Sequence, residues 1–235
     1  MLRAVIFDLD DTLFDDHHSM LGGLEALRCA HPELSGLDQA QLLGDYLAAL
    51  LALEPDFHAG RLSLEQFRLR RFEALYAQWG VRDVSGEEGF RTFRSGYQAA
   101  RRAISGAAAL LSALRGRGLK VGVLTNFTRP EQEAKLDFCG LSVLVDVLLT
   151  TREVPPKPHP QAYLGALAAL EVGAHEAVMV GDSWANDVTG PREVGLPSIW
   201  FERRGRSVPE PGAAVIRSYT PLNEALKVIL NSAAS

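Results

Sequence analysis

The sequence predicts a doubly wound parallel α/β sheet that carries an all-helical insertion. Three observations lead to this fold class. Short apolar runs are nearly continuous rather than alternating, as in strands that are covered on both faces. Helical segments separate these runs from Val121 onward, and the stretch from about residue 15 to about residue 102 contains no strand-like run.

The predicted strands are bounded by Gly, Asp, Asn or Pro. They comprise Ala4 to Phe7, Val121 to Leu124, Val147 to Leu149, Ala177 to Val180 and Ser198 to Phe201. Because right-handed crossovers join parallel strands, the carboxyl ends of these strands are expected on one rim of the sheet. Ligands of such sheets bind on that rim.

We expect residues 1–14 and 103–235 to form the α/β core and residues 15–102 to form the helical insertion. The clearest inserted helix starts at Ser63, which has the spacing of a capping box with Gln66, and ends before Gly80. Its apolar face contains Leu64, Phe67, Phe72, Leu75, Tyr76 and Trp79. At helical spacing, core packing is favoured over cofactor stacking for these aromatic side chains.

Composition and charge narrow the function classes. The 235 residues are 47% hydrophobic and 23% charged, which is ordinary for a globular protein. The net charge of −5 and the lack of a long basic run disfavour a nucleic-acid or membrane surface. A bound phosphate would therefore depend on a metal, single cationic side chains or helix N-termini.

Cysteine usage and the N-terminal segment indicate a cytoplasmic protein. Cys29 and Cys139 are far apart without a CxxC pattern, so we expect buried thiols rather than a disulfide or a zinc site. The segment before Asp8 is too short and too soon acidic for a signal peptide. No apolar stretch reaches about 18 residues without a charge, so no membrane span is expected.

Asp8 and Asp10 directly follow the first predicted strand. At positions i and i+2 of an extended segment, the two carboxylates project to the same side at the ligand-binding rim. Close carboxylates repel unless a divalent cation lies between them or one is protonated, and both conditions suit phosphoryl chemistry. Taken alone, a simple turn or helix cap is an equally good interpretation.

Two further strand-end segments carry polar groups. Thr125 and Asn126 end the second predicted strand and offer a hydroxyl and an amide, although, taken alone, a cap for the next helix is the favoured interpretation. Lys157 lies in a proline-rich frame before a helix that starts at Pro160. A cation is unfavourable at a helix N-terminus, which indicates that Lys157 neutralises a negative group, although a solvated loop lysine is an equally good interpretation of this residue taken alone.

The segment from Gly181 to Asp187 follows another buried strand and adds Asp182 and Asp187 to the acids at the rim. Oxygen ligands without Cys or clustered His favour Mg²⁺. A cap and a solvated acid would explain each Asp separately. The joint occurrence of suitable groups at four strand-end segments favours a phosphoryl-transfer site.

These motifs resemble the haloacid dehalogenase (HAD) superfamily, and in particular its phosphatases. The resemblance rests on four segments in order, Asp8 to Leu13, Thr125-Asn126, Lys157-Pro158 and Gly181 to Asp187, and extends to about residue 201. It implies a HAD-like Rossmannoid core. The helical insertion resembles the type I cap domain of that family.

The resemblance also implies residue roles. Asp8 would be the nucleophile that forms an aspartyl-phosphate, and Asp10 would act first as acid and then as base. Thr125 and Asn126 would hold the phosphoryl oxygens, and Lys157 would offset their charge. Mg²⁺ would bind Asp8, the main-chain carbonyl of Asp10 and Asp182, with support from Asp187, Ser183 and Thr12. Asp11 replaces a glycine common in the family, and we expect it to be structural.

Several alternatives stay open at this level. A dehalogenase shares the nucleophile but needs no acid two residues later, and a phosphomutase shares both Asp8 and Asp10. A non-catalytic binding module with the same fold is the third alternative. The expected substrate is a small phosphorylated metabolite such as a nucleotide or sugar phosphate. Asp16, His17 and His18 could contact it, although exposed linker residues are the simpler interpretation. The sequence does not distinguish monomer from homodimer.

Overall fold

The computed structural model describes residues 1–232, except for the side chain of His58. These residues form two compact units, one built from residues 1–15 together with 102–232 and the other from residues 16–101. In chain order the elements are β1 (Ala4–Phe7), α1 (Asp16–Ala30), α2 (Gln39–His58), α3 (Leu64–Trp79), α4 (Gly86–Ala99), α5 (Ala107–Arg115), β2 (Lys120–Leu124), α6 (Arg129–Phe138), β3 (Val147–Leu149), α7 (Pro160–Leu170), β4 (Ala177–Gly181), α8 (Gly190–Arg192), β5 (Ser198–Phe201), β6 (Val215–Ile216) and α9 (Leu222–Asn231).

The first unit contains a parallel sheet in the order β3-β2-β1-β4-β5-β6. This confirms the predicted α/β class. Phe7, the last residue of β1, pairs with Val123 on one side and with Val180 on the other. The carboxyl ends of these three strands are therefore level, and the residues that follow them meet at one rim.

The predicted strands differ from the observed ones mainly at an edge of the sheet. The pair Val215–Ile216 forms β6, which sequence patterning did not indicate. A two-residue strand has no periodicity to detect, and it exists only because it pairs with β5. The strands β2 and β4 are each one residue longer than predicted, since they include Lys120 and Gly181.

One face of the sheet packs against α7 and its neighbours. The buried residues of this cluster are Ala4, Ile6, Leu124, Leu149, Ala162, Tyr163, Ala166, Leu167, Leu170, Ala177, Met179 and Leu196. The strand residues come from β1, β2, β3 and β4, so this layer covers four neighbouring strands of the sheet. Near-complete burial of β1 and β4 explains why their sequences do not alternate.

The second unit is helical, and its clearest predicted helix is observed as α3. The side chain of Ser63 accepts a hydrogen bond from the Gln66 N–H at 3.1 Å, and the Gln66 side chain accepts one from the Ser63 N–H at 2.9 Å. Gly80 ends the helix in the left-handed conformation. Phe72, Leu75 and Tyr76 join the buried core of this unit, as the packing interpretation predicted.

Two sequence expectations outside the sheet are wrong. Cys29 is exposed and Cys139 is partly exposed, so neither is a buried thiol. Asp16 to His18 form the first turn of α1 and are partly buried, so they are not an exposed linker. Among residues 1–232, no helix has the length and apolar character that crossing a membrane requires.

The helices α1 and α4 of the second unit pack closely against each other. A Cβ atom on Gly22 would lie 2.3 Å from the Cβ of Ala100 and 3.0 Å from the carbonyl oxygen of Gly96. A Cβ on Gly96 would in turn lie 2.4 Å from the carbonyl oxygen of Gly22. The two backbones therefore pack together where only glycine fits.

We expect Gly22→Ala to lower the stability of the protein. The added methyl has to push α1 and α4 apart, and overpacking of this kind costs about 1–3 kcal/mol. The measurement is the free energy of unfolding from urea titration, followed by far-UV circular dichroism.

Gly44→Ala is the matched control because Gly44 lies on the exposed side of α2 with no atom within 4 Å of its would-be Cβ. There the better helix propensity of alanine should stabilise by up to about 1 kcal/mol. Equal effects of the two substitutions would contradict the close helix contact.

Candidate active site

A buried lysine joins two carboxylates at the rim of the sheet. The Nζ atom of Lys157 donates to Oδ1 of Asp8 at 2.8 Å and to Oδ1 of Asp187 at 2.7 Å. The side chains of Lys157 and Asp187 are 2% and 1% exposed, and that of Asp8 is 11% exposed. Lys157 thus neutralises acids, as its position before a helix predicted.

Burial and neighbouring charges shift the pKa values of Asp8 and Lys157. Burial raises the pKa of Asp8 to about 6, with a further rise from Asp187 and an opposing effect of Lys157. Burial by itself would lower the pKa of Lys157, but the charges of Asp187 and Asp8 outweigh it and raise that pKa. The lysine therefore stays charged, and Asp8 is largely ionised at neutral pH.

The loop after β4 brings Asp187 back against the strand. Ser183 caps a short π-helical segment, Trp184–Thr189, by accepting a hydrogen bond from the Asn186 N–H. The Ser183 N–H donates to Oδ2 of Asp187 at 3.0 Å. A Cβ on Gly181 would lie 2.3 Å from the Asp187 carboxylate, so the absence of a side chain there permits this approach.

Asn126 fixes the segment that carries Lys157. Its Nδ2 donates to the Lys157 carbonyl oxygen at 2.7 Å, and its Oδ1 accepts from the Lys157 N–H at the same distance. These two hydrogen bonds to the main chain position the lysine. Thr125, which is buried at the end of β2, accepts a hydrogen bond from Nε2 of Gln132 at 2.7 Å. Its hydroxyl proton is thereby left to donate elsewhere.

Asp10 contacts two side chains of α6 that the sequence motifs did not include. Lys135 Nζ lies 2.6 Å from Oδ1, and Nε2 of Gln132 donates to Oδ2 at 3.0 Å. The sequence contains one usable signal for them. Gln132 and Lys135 are three residues apart on a helix that starts just after Thr125-Asn126, so they share a face near the rim.

Arginines that follow β5 hold the turn after Asp10. Arg203 pairs with Asp11 at 2.8 Å and also with Asp15, while Arg204 pairs with Asp11. Asp11 has a positive φ of 60°, which non-glycine residues seldom adopt. These ion pairs support the structural role expected for Asp11. Thr12 is buried in the same turn and accepts a hydrogen bond from the Asp182 N–H at 3.1 Å.

A family model for haloacid dehalogenase-like hydrolases matches residues 2–195. The chain belongs to this family. The match covers β1 through α8 and includes the ends of β1, β2 and β4, whereas β5 and β6 lie beyond it.

The relatives of this chain include phosphatases. The chain is 30% identical over 206 residues to glyceraldehyde 3-phosphate phosphatase from Pyrococcus abyssi, covering 86% of this chain and 82% of that protein. It is 33% identical over 211 residues to phosphoglycolate phosphatase from Rhodospirillum rubrum, covering 85% and 79%. The chain is therefore an enzyme of the HAD hydrolase family that has phosphatases among its relatives.

Solved structures share the fold but include another activity. The HAD hydrolase YfnB from Bacillus subtilis, described as bound to magnesium, matches with a TM-score of 0.75, 21% identity and coverage of 96% of this chain and 98% of that one. A 2-haloacid dehalogenase from Pseudomonas syringae matches with a TM-score of 0.66, 25% identity and coverage of 97% and 99%. The fold alone therefore does not distinguish attack on phosphorus in a phosphatase from attack on carbon in a dehalogenase.

The acids of this HAD hydrolase fit a divalent cation. Oxygens of Asp8, Asp182 and Asp187 lie within 4.8 Å of one another. Both oxygens of Asp187 already accept hydrogen bonds, from Lys157 and from Ser183, whereas Asp182 has an excess of negative charge around it. Burial and the charges of Asp8, Asp187 and Asp11 raise the pKa of Asp182 to about 8, against a lowering by Arg206. A cation would relieve this repulsion.

We expect a divalent cation to stabilise the protein more at pH 8.5 than at pH 6. Without a cation, Asp182 is mostly protonated below its pKa of about 8, and a cation must displace that proton to bind. The increase in melting temperature on adding MgCl₂ should therefore grow between pH 6 and pH 8.5.

Asp182→Asn removes the titrating group and should reduce both the increase and its pH dependence. The matched control is Asp137→Asn, which changes an exposed acid on α6 and should leave both unchanged. A parent protein whose melting temperature rises equally at both pH values would contradict this account.

Proposed function

We propose that this HAD hydrolase is a Mg²⁺-dependent phosphatase that cleaves small phosphate monoesters through an aspartyl-phosphate on Asp8. The observation that carries the proposal is the arrangement at the rim. The carboxylate of Asp8 pairs with the buried Lys157 and lies close to the acids Asp182 and Asp187, which repel it. The carboxylate of Asp10 lies two residues further along the chain. This arrangement suits a nucleophile, a cation and an acid that act on one phosphoryl group.

Asp8 is the proposed nucleophile. Its pKa of about 6 leaves it ionised at neutral pH, so an oxygen is available to attack phosphorus. The bond from phosphorus to Asp8 forms while the bond to the leaving oxygen breaks. Asp10 is the proposed proton donor to that oxygen, and it then takes a proton from the water that hydrolyses the intermediate.

The phosphoryl group requires cationic and hydrogen-bonding neighbours. Lys157 is charged and touches Asp8, so it can offset negative charge at the reacting centre. Thr125 has its hydroxyl proton available, and Asn126 both positions Lys157 and retains a second amide N–H. We assign phosphoryl binding to these three residues.

Asp8, the main-chain carbonyl of Asp10 and Asp182 would hold the Mg²⁺, with Asp187, Ser183 and Thr12 supporting them. Asp187 accepts a hydrogen bond from Lys157 and so keeps it in place, and the Ser183 N–H orients Asp187 by donating to its carboxylate. The Thr12 hydroxyl accepts a hydrogen bond from the Asp182 N–H. When bound, the cation neutralises phosphoryl charge and so reduces its repulsion from Asp8.

The proposed substrates are small phosphorylated metabolites of the nucleotide or sugar-phosphate type. The phosphatase relatives are named for compounds of this size. We propose that the helical unit serves as a type I cap that selects the leaving group. The net charge of −5 gives no general attraction for nucleic acid or membrane, and a cytoplasmic location is proposed with this activity.

A 2-haloacid dehalogenase is the second candidate, because a solved dehalogenase shares the fold. Displacing halide from carbon requires no proton donor, since halide is a weak base. The carboxylate of Asp10 and the cluster of acids around Asp182, which fits a divalent cation, favour the phosphatase. A phosphomutase would use the same Asp8 and Asp10, and only its products distinguish it.

We expect the parent enzyme to release phosphate from members of a panel of phosphate monoesters only when Mg²⁺ is present. Asp8→Asn should lower this activity at least about 10⁴-fold, because an amide cannot form the acyl-phosphate bond. Phosphate release is measured by a colorimetric assay, in parallel with halide release from 2-chloropropionate.

Asp137→Asn is the matched control, as it makes the same change on the exposed side of α6. Halide release without phosphate release would establish the dehalogenase instead. Isomerised sugar phosphate without free phosphate would establish a mutase. Turnover that survives EDTA, or an active Asp8→Asn protein, would overturn the proposed mechanism.

A further inference from the structure

The carboxylate of Asp10 is held at both of its oxygens by side chains of one helix. Lys135 contacts Oδ1 and Gln132 donates to Oδ2, at 2.6 Å and 3.0 Å. Since each oxygen has its own donor, the two contacts define the plane of the carboxylate as well as its position. Two separate donors orient a carboxylate more tightly than one would.

Neither donor is an ordinary surface side chain. Lys135 is 7% exposed, and its ammonium lies 5.0 Å from the centre of the Phe14 ring. Gln132 is fully buried and uses its other N–H on Thr125. Burying a lysine costs free energy unless the charge is compensated, so its contact with Asp10 is part of what permits this position.

The hydrogen-bond pattern matches the ionised form of Asp10. An ammonium and an amide N–H are donors only, and each faces a different carboxylate oxygen. In the proposed reaction, Asp10 is ionised after it has given its proton to the leaving oxygen. It stays ionised until it takes a proton from the attacking water.

We infer that Lys135 and Gln132 are positioning residues that hold Asp10 as the base for hydrolysis of the phosphoenzyme. This inference rests on the proposed phosphatase function. In that half-reaction a water oxygen bonds to phosphorus, its proton passes to Asp10, and the bond between phosphorus and Asp8 breaks. Asp8 leaves as a carboxylate, so atoms and charges balance without a further reactant.

Gln132 also contacts the proposed phosphoryl-binding Thr125, whereas the contacts of Lys135 described above do not involve that residue. Removing Gln132 would therefore disturb phosphate binding together with the base. Lys135→Met is the cleaner change, because it keeps the length of the side chain and removes its charge and its donors.

The experiment uses p-nitrophenyl phosphate, whose good leaving group needs little proton donation. Stopped-flow release of nitrophenolate in the first turnover measures formation of the phosphoenzyme. Decay of a radiolabelled phosphoenzyme, after a chase with unlabelled substrate, measures its hydrolysis. We expect Lys135→Met to slow hydrolysis at least about tenfold. Formation should stay within about threefold of the parent, so kcat falls with little change in kcat/KM.

Lys135→Arg retains a charged donor and should restore most of the hydrolysis rate. Lys227→Met removes an exposed lysine of α9 and should change neither step. Melting temperatures with and without Mg²⁺ show whether each variant keeps its fold and cation site. Unchanged decay of the phosphoenzyme, or an equal slowing of both steps, would overturn the inference.

A parent enzyme that releases phosphate from no monoester would instead refute the phosphatase proposal, and the role of Lys135 in that reaction with it. The two failures are distinguishable, because the first appears in the parent and the second only in the variants.

Discussion

The ion pairs of Lys157 with Asp8 and Asp187 are the interaction on which the rest of the site depends. The three side chains come from the end of β1, the segment before α7 and the loop after β4, and all are almost fully removed from solvent. Loss of one partner of a buried ion pair costs about 3–5 kcal/mol, because the remaining charge has no compensation. Gly181, Ser183 and Asn126 each serve to bring these charges together.

Negative charge is distributed unequally around this centre. Lys157 compensates Asp8 and Asp187, and Lys135 compensates Asp10, whereas Arg206 lies 3.7 Å from Asp182 at a partly exposed position. Burial, together with the charges of Asp8, Asp187 and Asp11, raises the pKa of Asp182, and a cation would complete the charge balance there. The same imbalance separates the roles in the proposed mechanism. One carboxylate attacks, one moves a proton, and one holds the cation.

Much of the sheet and of the strand-end chemistry was predictable. Buried parallel strands have apolar sequences, and polar residues directly after them mark the ligand-binding rim. The strand β6, the donors on α6 and the arginines after β5 were not predictable in this way. Lys135 is 125 residues from Asp10, and Arg203 is 192 from Asp11, so no local pattern links them. Asn126 was expected to bind phosphate, and the structure adds that its side chain holds the main chain of Lys157.

The sequence by itself determined the fold class, the helical insertion and the residues that follow each strand. Local periodicity and parallel connectivity are enough for these features. Only the tertiary structure decided which charges compensate each other: Lys157 with Asp8 and Asp187, and Lys135 with Asp10. Electrostatic energy depends on distances of a few ångströms between side chains, and such distances arise only when separate elements pack together.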